Sequence, residues 1–104
     1  MNGIIFRKIQ LVRSADSIAS NIAEGFGRYH LKENKNFNYY ARDSLFETKT
    51  WLVKANKRKL VDAKIFGKFM DELDVLGKRL NSYINSIGNK NNFANDQCRM
   101  TNKP

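Results

Sequence analysis

Apolar residues return at steps of three and four along three stretches of this chain, the spacing that gathers side chains on one face of an α-helix. The last stretch is the clearest, with Ile65, Phe69, Leu73, Leu76, Leu80, Tyr83 and Ile87 in one row. Its acids Asp71, Glu72 and Asp74 fall mostly off that row, so it reads as a packing helix with a solvated back. The middle stretch, about residues 32–58, repeats the rule with Phe37, Ala41, Ser44, Leu45, Thr48, Leu52 and Ala55. Its small Ala and Ser allow a neighbour to come close, and Tyr40 and Trp51 at the edge of the row read as packing residues. The first stretch, about residues 5–26, carries Leu11, Ala15, Ile18 and Ile22 on one face and Ile5, Ile9, Val12 and Ala19 on the next. About half of its circumference is therefore apolar. Gly25 and Gly27 are expected to stop it. Beyond Gly88 the chain is rich in Asn and loses its periodicity, which predicts a disordered polar tail over 89–104. The pattern gives an all-α fold of three amphipathic helices in a single domain over residues 1–88.

Composition narrows the function classes. The 104 residues leave room for one domain. No stretch approaches the roughly 20 apolar residues that a membrane-spanning helix needs. The start lacks a secretory layout, because its basic pair Arg7-Lys8 follows the short apolar run. A single cysteine, Cys98, precludes an internal disulfide, and a cytoplasmic protein without cofactor is the simplest expectation. The net charge of +9 is large for this size. Its excess sits in residues 31–60, which hold eight of the Lys and Arg against three acids. Clustered positive charge draws in polyanions, so nucleic acid is the first partner to consider, ahead of an anionic membrane.

Two segments carry a resemblance. Starting at Gln10, the chain reads into Ser17-Ile18-Ala19-Ser20-Asn21-Ile22-Ala23-Glu24-Gly25, and later Ala41-Arg42-Asp43-Ser44-Leu45-Phe46-Glu47. These resemble the signatures of the 23S rRNA intervening-sequence proteins, also called the four helix bundle protein family, over roughly residues 10–87. Ala19 stands where the family pattern has proline, and Asp43 where it has glycine. The first change implies a straighter helix. The second puts the family's helix spacing at that point in question. The resemblance implies an up-and-down four-helix bundle without a catalytic site. It also implies self-assembly, as homopentamers in several members, and a link to insertions in 23S rRNA genes. A basic relative accompanies a reverse transcriptase, which makes such an enzyme, or another protein, a further partner to consider. The pattern opens with one more helix before the position of Gln10, where this chain has nine residues. Without that helix the broad apolar face of the first helix is left uncovered. Association with itself or another protein is then expected, and a shortened reading frame explains the same observation.

The chemistry is sparse. Gln10, Arg13, Ser17, Asn21, Glu24 and Arg28 form a polar stripe along the first helix. Its Arg and amide groups suit phosphate contacts, but a solvated face with a Glu24–Arg28 pair and helix-end ties through Asn21 and Glu24 explains it more simply. Lys35, Arg42 and Lys49 lie seven residues apart on the middle helix, turned from its core positions, and Lys54, Lys57, Arg58 and Lys59 continue the charge at its end. Cations about 10.5 Å apart can follow a phosphate backbone. Basic residues at a helix C-terminus also offset its dipole, and lysine-rich faces are ordinary solvated surface. Tyr39 and Phe46 are expected opposite the core, where they fill a subunit interface more readily than they stack on bases, together with Ile5, Ile9 and Val12. The only histidine, His30, falls in a turn, and nothing offers the spacing of metal ligands. The leading expectation is a non-catalytic homo-oligomer that binds RNA or DNA through phosphates. The competing one is a protein-interaction scaffold with no nucleic-acid role.

Overall fold

A computed structural model describes residues 3–88, apart from the side chain of Ile4. Three helices follow one another, α1 (Gly3–Phe26), α2 (Leu31–Lys57) and α3 (Ala63–Ser86). The expected boundaries hold to within about two residues at each end, because the apolar periodicity stops where the turns begin. The expected disordered tail lies outside the described residues.

Short turns make the helices run up, down and up. At the end of α2, Leu60 N–H bonds Ala55 O at 2.9 Å and Lys59 N–H bonds Asn56 O at 3.0 Å. This double closure is the Schellman arrangement. It places Lys59 at φ 57°, a left-handed conformation that glycine adopts at less cost. The side chain of Asp62 then accepts from Lys64 N–H at 2.7 Å and caps α3. Gly25 was expected to stop α1 but lies inside it. A Cβ there would come within 2.9 Å of Asn34 O and of Phe37 Cβ, so its task is to let α2 approach.

α2 is the central helix. It packs against both α1 and α3, whereas α1 and α3 barely touch. Ile18, Ala41, Leu45, Leu80 and Ile84 form the core, with Ile22, Tyr39, Leu73 and Leu76 packed around it. The α1/α2 seam is lined by small and polar groups. Ser14 is buried on α1, as are Asn34, Asn38, Ser44 and Thr48 on α2. The hydroxyls of Ser17 and Ser44 bond across this seam at 2.9 Å. At its far end Asn38 Nδ2 donates to Asn34 Oδ1 at 2.8 Å, and Asn34 Nδ2 donates to the Tyr83 hydroxyl at 3.3 Å. With Gly25 against Asn34, all three helices meet there.

Several large apolar side chains on α1 and α3 are left open to solvent by the described residues. Ile5, Val12, Ile65 and Phe69 are about half exposed. An open groove runs between α1 and α3 with α2 as its floor. One section of about 420 Å³ lies among Val12, Ala15, Leu52, Phe69 and Leu76. Another of about 460 Å³ lies among Ala19, Ile22, Phe26 and Tyr83.

Candidate nucleic-acid interface

The expected cationic row on α2 divides in two. Arg42 and Lys49 do not point away from the bundle: Arg42 Nη1 donates to Asn81 Oδ1 at 3.1 Å, and Lys49 Nζ meets Asp74 Oδ1 at 2.6 Å. Both reach across to α3, so they edge the α2/α3 seam. Sequence spacing fixed their common face correctly. It left open that α3 would stand beside that face. Lys35 is half-buried and has no ion pair among the described residues. Lys54, Lys57, Arg58 and Lys59 are exposed and likewise without a carboxylate partner among the described residues.

The antiparallel course of α1 and α2 adds what the sequence reading missed. The start of α1 lies beside the end of α2, and Phe6 and Arg7 join Trp51, Lys54, Lys57 and Arg58 around a cleft of about 360 Å³. Phe6 and Trp51 meet edge to face, with centroids 6.1 Å apart. Lys54 Nζ sits 4.6 Å from the Trp51 ring centre, a cation–π placement. The indole N–H of Trp51 donates to Glu47 Oε1 at 3.4 Å, one turn back. Trp51, half-buried and packed on Phe6 as a residue of the core edge is expected to be, is thus also a wall of this cleft. The available signal was the antiparallel order itself, which brings residue 7 near residues 54–58.

The aromatic expectations also divide. Phe46, Ile5 and Val12 are more than half exposed, and Ile9 is 38% exposed. Tyr39 is not opposite the core: it packs against the core cluster and lies under the Arg42 guanidinium, 5.0 Å from ring centre to Cζ. Tyr40, expected to pack, is 53% exposed, with its ring edge to face on Phe37.

The polar stripe of α1 serves the fold at its middle and solvent at its ends. Ser17 bonds Ser44, and Asn21 Nδ2 donates to Ser17 O at 2.8 Å. Arg13 is exposed. Glu24 and Arg28 make the expected ion pair at 3.5 Å, and Arg28 also lies 4.9 Å from the Phe37 ring centre. Asp43 is exposed, so it does not set the distance between the helices of this chain. Among the described residues, no group of three or more His, Cys, Asp or Glu side chains is placed to hold a metal ion. No described helix is long and apolar enough to cross a membrane.

The described residues thus form a three-helix bundle of up-and-down course, with an open apolar groove on one flank and a cationic end where α1 begins and α2 finishes. The family model described as 23S rRNA-intervening sequence protein matches residues 7–82, and the chain belongs to that family. Neither a curated protein nor a solved structure matches it.

Proposed function

We propose that this chain is a non-catalytic, self-associating helical protein that binds RNA or DNA through backbone phosphates. The observation that carries the reading is the cation cluster at one end, Lys54, Lys57, Arg58 and Lys59 joined by Arg7 from α1, which has no carboxylate partner among the described residues. Lys59 adds weight, since it keeps a charge in a left-handed position where glycine would cost less. Contact with phosphates releases condensed counterions, and about five such contacts give a log–log salt slope near −4 to −5 on duplex. Electrophoretic or anisotropy titrations over a range of salt test this. A binding constant indifferent to salt, or no binding at low salt, ends the proposal.

Self-association is the second part, and the groove between α1 and α3 motivates it. Its walls are apolar over most of both helices, and soluble monomers rarely leave so continuous a surface uncovered. A second copy, laying its own α1 face into this groove, buries both. Family membership is consistent with assembly, including the pentamers expected from the resemblance, and with a cytoplasmic setting.

The same groove favours the other reading, a protein-interaction scaffold whose partner is a different protein, such as a reverse transcriptase. Charge reversal at Lys54, Lys57 and Arg58 separates the two. It abolishes polyanion binding under the first reading and leaves the scaffold's association unchanged under the second.

A further inference from the structure

The cleft between the start of α1 and the end of α2 holds more than charge. Arg7, Lys54, Lys57 and Arg58 surround two aromatic rings. None of the four has an ion pair among the described residues. A phosphate-only surface has no use for apolar ring faces in its midst, whereas single-stranded nucleic acid presents an unpaired base beside each phosphate. Base pairs in a duplex keep their ring faces stacked inside the helix, out of reach of side chains. The cleft volume of about 360 Å³ is that of a small-ligand site.

We propose that this cleft seats an unpaired base of single-stranded nucleic acid, with the base against Phe6 and Trp51 and its flanking phosphates on Arg7, Lys54, Lys57 and Arg58. This rests on the phosphate-binding reading above and names the strand form it prefers. Phe6 is 45% exposed, so it has ring surface to offer. Lys54, now above the Trp51 ring, is drawn off by the incoming phosphate and vacates the indole face for the base. The edge-to-face contact of Phe6 with Trp51 sets the two rings at 79°, so the base stacks on one ring and meets the edge of the other. Glu47, which accepts from the Trp51 indole N–H, holds that ring in place from the side.

Trp51 is the only tryptophan of the chain and reports directly on the site. The full chain is titrated with four probes at low salt: short oligo-dT, short oligo-U, a duplex of mixed sequence, and inorganic polyphosphate. Both binding and Trp51 emission are followed. Expected is strong quenching by one or both single strands, and binding of duplex and polyphosphate with only the small emission change that displacement of Lys54 brings. Comparison of oligo-dT with oligo-U then tells DNA from RNA. Phe6→Leu should weaken the single-strand complex on the order of tenfold and leave duplex affinity nearly unchanged. Circular dichroism verifies that this variant keeps its helices, and quenching in the unaltered chain tests the seat independently of any variant. Equal binding of single strand and duplex with Trp51 emission unmoved overturns the base seat while phosphate binding stands. Failure of every polyanion to bind overturns both.

Discussion

At the scale of single residues, the informative positions are those where side-chain type and environment disagree. Asn38 is fully buried, and its Oδ1 meets no donor among the described residues. Such a group costs about 1–3 kcal/mol, and its amide nitrogen recovers part of this through Asn34. Hydropathy alone reads Asn34 and Asn38 as surface, which is why a periodicity argument passes over them. Gly25 lies at a close approach between α1 and α2. Gly25→Ala should destabilise the fold by about 1–3 kcal/mol, since the backbone of Asn34 cannot yield as a side-chain tip would; urea denaturation measures it. Lys59 gives the opposite sign. Lys59→Gly should raise stability by about 1 kcal/mol by relieving the left-handed backbone, while polyanion affinity falls through the lost charge. A variant that gains stability and keeps its affinity would remove Lys59 from the binding surface.

Between elements, the two seams of α2 are built differently. Toward α1 it offers small and hydroxyl-bearing residues, and Ser17 with Ser44 ties the helices by one bond. Toward α3 the tie is Asn34 to Tyr83, with Arg42 and Lys49 at the rim. Tyr83→Phe should cost about 1 kcal/mol, because the amide of buried Asn34 loses its acceptor. Thermal unfolding followed by circular dichroism reads this change, and an unaltered transition would mean that the 3.3 Å contact contributes nothing. The Lys49–Asp74 pair is partly exposed and contributes at most about 1 kcal/mol. Its importance lies in orientation. Reversing charge at Arg42 and Lys49 should lower polyanion affinity far less than reversing it at Lys54, Lys57 and Arg58, because Arg42 and Lys49 are already engaged by α3. Filter binding of the double and the triple variant side by side decides this, and equal losses would restore the continuous ridge that heptad spacing predicts.

For the whole molecule, the question is what covers the groove. Burying an apolar side chain is favourable by about 1.5–3 kcal/mol, so the exposed rows of α1 and α3 form a strong incentive to associate. Val12→Asp together with Phe69→Asp introduces charge on both walls. The pair should convert an assembled species to monomer, as read by light scattering across a concentration series. An unaltered chain that is already a compact, cooperatively melting monomer would refute self-association through this face. Avidity among copies multiplies weak phosphate contacts, so a monomeric variant should also bind polyanions less tightly, even with its cationic end intact.

The amino-acid order alone determined the three helices and, to within about two residues, their ends, because a helix needs only its own periodicity and turn chemistry to be specified. It also determined the family, through the segments around residues 17–25 and 41–47. Which face of a helix meets a neighbour is a different matter. Periodicity says that residues share a face, and it cannot say what stands opposite. Tertiary packing alone turned Arg42 and Lys49 toward α3, put Tyr39 on the core, left Tyr40 exposed, and joined Phe6 and Arg7 to the end of α2. Each of these depends on the rotation of one helix against the next, a quantity set by side-chain fit across the seam rather than by any local pattern.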